Sequence, residues 1–451
     1  MKHHCAVPLP IISALLLSAV AFTACRKGDS TEIVYNCPAN AAEIEVLRQE
    51  IPAFAETTGV NLTLNPFSGQ EKLYAMMAAG QAPDIFYTNA TMRDRLAAEG
   101  RLLDLRSVSE GDPFVSRLWP DVVENGKAPD GGWYSVGNWS FTLGVYYNRD
   151  MFDAAGLPYP DTGWTWDQMT ALARSLTVKT RSGGDPERYG IFIGSHFVEA
   201  IEQMNGADIR PNCVAATLSP ESEEAFRRYL SLLEGNIMPD PRRIQAMGMQ
   251  APQLLQNGRV AMLVEAVPHQ SLMETLSMRW GLAPLPRFPG HPPSYFRSAS
   301  GGLSISAQTR SPREAWSALR WIIGSASLYQ PNPVLRDVDF VGGWERRYPR
   351  LVGSGFREVW DLSLRHNGGD PRFFVRFSSW TAGSILERLQ PLLDQLWART
   401  ITVDEFRGSL PQVNASVERD LMDLLKREGV QPRFRDDIEN ALRKFRNAAQ
   451  R

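Results

Sequence analysis

Polar side chains that follow apolar, strand-like stretches are the residues best suited to ligand chemistry. Six of them fit this description: Gln70, Asn89, Ser195, His196, Glu265 and His269. Their amide, hydroxyl, imidazole and carboxylate groups form hydrogen bonds of both polarities, as a hydroxyl-rich ligand requires. Since the ends of neighbouring parallel strands meet at one sheet edge, we expect these side chains to gather there.

Each candidate also has an ordinary structural explanation. Gln70 fits a solvated turn, and Asn89 fits a cap for the following helix as well as it fits a ligand contact. A single histidine such as His196 or His269 is often structural. Glu265 ends an apolar strand, and a buried charge at that point needs a partner.

Aromatic residues supply flat apolar surfaces beside such polar groups. The candidates are Trp139, in the segment 137–141, together with Trp344 and Trp380. Packing of the protein interior is the alternative for each of them. Gly301 and Gly302 would let the backbone approach a ligand closely.

Catalytic and metal-binding motifs are absent from the sequence. It contains no GxSxG, HExxH, P-loop or GxGxxG segment, and no CxxC pair. The six histidines do not form a metal-ligand spacing. We therefore predict no enzyme activity, no catalytic residue, no metal and no cofactor, although acidic residues are numerous enough to leave a glycosidase carboxylate pair open.

Composition describes a folded, neutral chain. Of its residues, 43 % are hydrophobic. Because it has 451 residues, two or three domains are expected. Lys and Arg total 48 and Asp and Glu total 50, for a net charge of −2. There is no basic field for nucleic acid.

The first 25 residues are typical of an export signal. A short cationic start precedes an apolar run at 11–22, and Phe22–Cys25 is similar to a bacterial lipobox. We predict lipidation at Cys25, with ordinary cleavage near Ala24 as the alternative. Cys37 and Cys213 could pair in an oxidising compartment, and the sequence leaves this open.

Strand-like and helix-like stretches alternate through the chain. Alternation of this kind near the start, between residues 32 and 100, predicts an α/β unit with a largely parallel sheet. Helix-like spacing covers most of 385–448. Pro52 lies inside the first helical pattern, so a kink or break is expected there.

Six segments, in order, resemble the bacterial ABC-transporter solute-binding proteins of extracellular family 1, the maltose-binding-protein-like group. Glu265 and His269 lie where the family often has Gly or Trp, and residues 331–371 align poorly. The matching segments are 54–62, 77–86, 146–157 with 165–167, 258–262, 284–286 with 301–306, and 400–406.

The resemblance implies an α/β protein of two discontinuous lobes joined by hinge strands. Lobe one would comprise 26–140 and about 300–345, and lobe two 141–299 and about 346–451. The chain would cross between lobes near 139–144, 297–303 and 345–360, with the ligand in the cleft. Trp139 would lie at the first crossing, and Ser300, Gly301 and Gly302 at the second.

The resemblance also implies a function. The chain would bind a mono- or oligosaccharide and deliver it to an ABC permease driven by ATPase subunits. It would be an exported, lipid-anchored monomer without nucleic-acid partners. Two alternatives remain: the same fold binding another polar solute such as a glycerol phosphate, and a surface glycan hydrolase.

Overall fold

A computed structural model describes most of the chain. The described residues are 31–37, 41–66, 69–137, 140–181, 184–207, 215–246, 248–269, 272, 276–288, 290–291, 297–299, 301–324, 334–367, 382–426, 430 and 432–449. The predicted signal segment with Cys25, and also Trp139, Cys213, Ser300 and Trp380, lie outside them, as does the side chain of His196.

Strands within the described ranges form two sheets. They are β1 (Thr31–Cys37), β2 (Val60–Pro66), β3 (Ile85–Thr88), β4 (Ser140–Asn148), β5 (Tyr189–Ile193), β6 (Val260–Val267), β7 (Trp280–Pro284), β8 (Arg297–Ala299) and β9 (Gly302–Ile305).

Helices surround both sheets. None that the structure describes is long and apolar enough to cross a membrane. They are α1 (Ala41–Thr58), α2 (Gln70–Ala78), α3 (Ala90–Ala98), α4 (Arg106–Ser109), α5 (Pro113–Arg117), α6 (Pro120–Asn125), α7 (Arg149–Ala155), α8 (Trp166–Leu176), α9 (Val198–Met204), α10 (Pro220–Glu234), α11 (Pro241–Ala246), α12 (Ala251–Gln256), α13 (Pro312–Gly324), α14 (Phe340–Arg347), α15 (Phe356–Asn367), α16 (Ala382–Trp397), α17 (Val403–Lys426) and α18 (Pro432–Ala449).

Lobe one is built on the sheet β2-β1-β3-β9. β1 is parallel to β2 and β3, and β9 returns antiparallel to β3. One sheet face is apolar because alternate residues such as Ile33, Tyr35 and Ile85 point to it, and α1 and α13 cover that face. α1 is one continuous helix with Pro52 inside it, so the predicted break does not occur.

Lobe two is built on the sheet β5-β6-β4-β7, with β8 paired to the start of β4. β5 and β6 are parallel and β4 is antiparallel to β6. β5 is buried along its whole length, as expected for a strand covered on both faces. Thr165 begins α8 with the reciprocal capping box that it forms with Gln168.

Two chain segments cross between the lobes side by side. Val136 and Leu303 exchange both backbone hydrogen bonds, N–O 3.0 and 2.9 Å. Ser140 pairs with Ala299 a few residues further along. The crossings therefore form a two-stranded ribbon, which we call the hinge ribbon.

A third crossing lies further along the chain. Val334 and Leu335 pack in the core of lobe one, whereas Phe340 packs on Trp360 of α15, a helix that contacts β4 and β7 of lobe two. The change occurs earlier than the predicted 345–360, because Asp339 caps α14 and the apolar face of that helix enters lobe two at once. The C-terminal helices follow, and α16 contacts α3 of lobe one.

Candidate functional site

The hinge ribbon joins the lobes at matching sheet edges. In lobe one this edge holds the carboxyl end of β3 beside the start of β9, where Thr88 pairs with Gly302. In lobe two it holds the carboxyl ends of β5 and β6 beside the start of β4, where Thr142 pairs with Val267. We call these the lobe one edge and the lobe two edge.

Glu265 lies near the lobe two edge, two residues before the end of β6. It is 8 % exposed, and its carboxylate accepts a hydrogen bond from the backbone N–H of Ala266 at 2.8 Å. No Lys or Arg of the described residues forms an ion pair with it. Burial raises the pKa of Glu265, and the Ala266 N–H only partly opposes this change.

The Tyr146 side chain lies near this carboxyl group, and His269 follows four residues after Glu265 in the chain. The Tyr146 hydroxyl donates to the carbonyl oxygen of Ala266 at 3.1 Å. Burial, followed by the charge of Glu265, raises the pKa of Tyr146 well above its usual value. His269 follows a cis Val267–Pro268 bond. Burial lowers the pKa of His269, and its Nδ1 atom is buried with no hydrogen-bond partner in the part of the chain that the structure describes.

The lobe one edge holds polar groups on β1, β3 and β9. Thr88 and Ser304 share a hydrogen bond at 2.8 Å and are fully buried. Asn36, one residue before the end of β1, is buried, and its Oδ1 atom has no hydrogen-bond partner among the described residues. A buried acceptor without a partner costs about 1–3 kcal/mol, so a ligand hydroxyl there would recover free energy.

Asn89 and Gln70 follow the strands of lobe one as predicted from the sequence. The Oδ1 atom of Asn89 accepts from the backbone N–H of Met92 at 2.8 Å, which makes Asn89 the cap of α3. Gln70 is exposed at the first position of α2. A ligand contact by either residue stays a prediction.

Gly301 and Gly302 lie where two segments of this chain approach each other closely. A Cβ atom on Gly301 would overlap the hydroxyl of Tyr87, and its φ is +43°. A Cβ atom on Gly302 would lie 2.5 Å from the carbonyl oxygen of Val136. These glycines therefore let the hinge ribbon pack against lobe one. From the sequence, the close approach that they allow was attributed to a ligand instead.

Trp344 is a core residue. It is 1 % exposed on α14 and stacks on Tyr348 with ring centroids 5.4 Å apart. This burial leaves no face of its ring for a ligand, so packing replaces the predicted platform role. Ser195 starts a 3₁₀ turn after β5 and is half-buried at the lobe two edge.

The groups that the structure brings to these edges are mainly hydrogen-bond acceptors. Glu265 and the Asn36 Oδ1 atom accept only, and a neutral His269 offers one donor and one acceptor. Among the described residues no group of three His, Cys, Asp or Glu could hold a metal ion. The arrangement suits a ligand that presents several O–H donors.

Sequence reasoning missed Asn36 and Tyr146. Asn36 lies one residue before the end of β1, which runs to Cys37. Tyr146 lies inside β4. Both residues could have been found from the sequence, because each carries a polar group on a strand that reaches the edge next to the crossings.

A family model, bacterial extracellular solute-binding protein, matches residues 39–327. A sn-glycerol-3-phosphate-binding periplasmic protein of Rhizobium meliloti is 24 % identical over 298 residues, which are 61 % of this chain and 66 % of the relative. One from Brucella abortus is 24 % identical over 65 % of this chain and 70 % of its own length. The chain therefore spans just under two thirds of the Rhizobium protein.

Solved structures share the fold. A substrate-binding protein of Listeria monocytogenes in complex with cycloalternan has a TM-score of 0.66 at 20 % identity, covering 87 % of this chain and 100 % of that one. The maltose/maltodextrin-binding domain of Bdellovibrio bacteriovorus bound to maltotriose has a TM-score of 0.62 at 17 % identity, with 87 % and 100 % coverage.

The two-lobed α/β fold and the family model agree. Family and fold are those of substrate-binding proteins rather than enzymes, and they imply export, a small-molecule ligand and an ABC permease as partner. This chain belongs to the bacterial extracellular solute-binding proteins.

Proposed function

We propose that this protein binds a carbohydrate or related polyol between its lobes and delivers it to an ABC importer. The observation that carries the proposal is a set of buried polar groups near the two edges: Asn36 Oδ1 and His269 Nδ1, which have no hydrogen-bond partner among the described residues, and the Glu265 carboxylate, which accepts from the Ala266 N–H. Sugar hydroxyls can donate to these oxygens and can donate to or accept from a neutral imidazole. Structural relatives in complex with cycloalternan and maltotriose support this class of ligand.

Further contacts belong to the same proposal. Gln70, Asn89 and Ser195 would add polar groups from both edges. Trp139, His196 and Trp380 would complete the site with aromatic and imidazole rings from segments or side chains outside the described residues.

The direct test is ligand binding by residues 26–451, measured by calorimetry and thermal shift. Maltotriose, a cyclic glucan, ribitol and sn-glycerol 3-phosphate should be compared at equal concentration. A ligand at 100 times its Kd adds about 2.7 kcal/mol to the free energy of unfolding. Binding of a neutral polyol supports the proposal, and binding of the phosphate ester alone contradicts it.

A glycerol phosphate is the second candidate, because relatives from Rhizobium and Brucella carry that name. Its phosphate needs cationic or N–H donors, whereas the lobe two edge carries a buried carboxyl group without a cationic partner among the described residues. Glu265 therefore favours a neutral ligand.

Anchoring forms a separate part of the proposal. Lipidation at Cys25 would tether the mature chain to a membrane facing the periplasm or cell surface, and the polar residues 26–30 would act as a spacer. Detergent partitioning of the expressed protein, with Cys25→Ala as control, tests this. The variant should move to the aqueous phase; equal partitioning of both forms contradicts lipidation.

A further inference from the structure

Tyr146 is a buried residue beside the two candidate ligand groups of lobe two. It lies on β4 opposite Leu263 of β6, while Gly144, two residues earlier on β4, lies opposite Glu265. Residues that lie opposite each other point to the same face of a sheet, as do residues two apart along one strand. Tyr146 and Glu265 therefore share one face of the lobe two sheet.

The Tyr146 hydroxyl holds the chain segment that carries both candidate groups. It donates to the carbonyl oxygen of Ala266 at 3.1 Å and accepts from the backbone N–H of His269. The N–H of Ala266 donates in turn to the Glu265 carboxylate at 2.8 Å. One hydroxyl thus links the peptide next to Glu265 with the peptide of His269.

Neither candidate group is held by another side chain. Within the described ranges, the Glu265 carboxylate accepts only from the Ala266 N–H, and His269 Nδ1 has no hydrogen-bond partner. The positions of these groups are therefore set mainly by the backbone of residues 265–269. Tyr146 itself is held in place, because it is 0 % exposed and its ring lies 5.9 Å from that of Trp280, centroid to centroid.

We propose that Tyr146 is a positioning residue for ligand binding. Its hydroxyl fixes the segment 265–269, so that the Glu265 carboxylate and the His269 imidazole meet the ligand in one relative orientation. This inference rests on the proposed function. Groups that are ordered before the ligand arrives lose less conformational freedom on binding, so the affinity is higher. Because Tyr146 is fully buried, it acts through these two residues and not by touching the ligand.

The first experiment measures ligand binding by Tyr146→Phe in the full chain. The probe is whichever of maltotriose, a cyclic glucan and ribitol binds the wild type most tightly in calorimetry. The substitution keeps the ring and its contact with Trp280 and removes only the hydroxyl. We expect the Kd to rise about tenfold. An unchanged Kd would overturn the inference.

Tyr189→Phe is the matched control. Tyr189 is a buried tyrosine of the same sheet, at the amino end of β5, and its hydroxyl forms a hydrogen bond with Arg243. Both variants lose a hydrogen bond in lobe two, but only Tyr146→Phe loses one next to the candidate groups. The Kd of the control should change less than about twofold. An equal rise in both variants would assign the effect to general destabilisation and overturn the inference.

A double-mutant cycle separates positioning from a purely structural role. If Tyr146 acts through Glu265, the combined loss of affinity in Tyr146→Phe with Glu265→Gln should be smaller than the product of the two single losses, by about threefold or more. Losses that multiply would show that the two residues act independently, which contradicts the inference.

Amide hydrogen exchange, measured without ligand, separates this inference from the proposed function. Tyr146→Phe should speed exchange in the peptide that covers residues 264–269 at least about fivefold and leave β5 unchanged. Faster exchange in a chain that binds none of the three probes would contradict the proposed function and leave the anchoring by Tyr146 intact. Unchanged exchange would overturn the positioning role whether or not the chain binds a sugar.

Discussion

Each lobe contains a buried carboxyl group, and the two differ in their partners. Asp94 of lobe one is 3 % exposed and accepts from Arg93 at 2.7 and 2.9 Å. Arg93 donates in turn to the carbonyl oxygen of Asn125. Glu265 of lobe two is nearly as buried but accepts only from the adjacent backbone N–H in the described structure.

Asp94 belongs to the fold, whereas Glu265 has the role in ligand binding that we propose for it. A buried ion pair that also ties α3 to the end of α6 belongs to the fold, since breaking it leaves a cation without a partner. A buried carboxyl group that is bonded only to its own neighbour contributes little to folding. The unfavourable free energy of burying this group is offset when a ligand supplies the missing hydrogen-bond donors.

The largest expected effect comes from Asp94→Ala. Removal of the carboxylate leaves Arg93 buried and unpaired, so the free energy of unfolding should fall by about 3–5 kcal/mol in urea denaturation. The double variant Arg93→Met with Asp94→Leu should recover much of this loss. If Asp94→Ala is as stable as wild type, the pair is not structural and the comparison fails.

Glu265→Gln should show the opposite behaviour. The amide keeps the volume of the side chain but removes the charged acceptor, so affinity for the sugar should fall about 10–100-fold in calorimetry. Stability should stay level or rise, because a buried charge has been removed.

Glu234→Gln serves as the control, since Glu234 is an exposed acid at the end of α10. A loss of stability in Glu265→Gln without a loss of affinity would assign the carboxylate to folding after all.

The pH dependence of stability tests the buried carboxyl groups of both lobes. Burial, aided by Asp130 and opposed by Arg93, raises the pKa of Asp94 from 3.8 to about 7. A raised folded-state pKa gives stability that is present below the unfolded value and is lost as pH rises through about 7. The free energy of unfolding should therefore fall between these pH values, by at most about 1.4 kcal/mol per pH unit from this group.

Asp94→Asn should flatten that slope, as followed by denaturation at several pH values between about 4 and 8. Glu265→Gln should flatten it too, because burial also raises the pKa of Glu265. A slope identical to wild type in Asp94→Asn would mean that Arg93 holds the Asp94 carboxylate ionised throughout.

The smallest effect is expected at Asn89. Asn89→Ala removes the cap of α3 and should cost about 1 kcal/mol of stability, while Asn89→Asp should keep the cap. Sugar affinity should change less than about twofold if the cap is its main role. A tenfold loss in both variants would show that the Asn89 side chain contacts the ligand in addition to capping α3.

Much of the fold could be predicted from the sequence because local signals and packing agree. The alternation of apolar stretches between residues 32 and 100 predicted an α/β unit, and the structure has β1, α1, β2, α2, β3 and α3 there, with β1 parallel to β2 and β3. The third crossing was placed too late, because no local pattern records which core an apolar helix enters. The break expected at Pro52 is absent for a related reason, because tertiary packing keeps α1 continuous across this residue.

The site was harder to predict. Glu265 and His269 were chosen as candidate ligand contacts only from their positions at the end of a strand. Sequence could not show that Gly302 faces Val136, or that Trp344 stacks in the core, because both depend on contacts between distant segments. Asn36 needed a strand boundary correct to one residue, which local propensity does not provide.

The contact between α16 and α3 has a consequence for affinity. It links the C-terminal helices to lobe one, so a rotation of the lobes that separates the two helices would have to slide or break it. Its strength would therefore contribute to the ratio of open to closed molecules before ligand arrives. The apparent Kd equals the intrinsic Kd divided by the fraction of binding-competent molecules. Substitutions in this contact would thus tune uptake at low solute concentration without touching the solute.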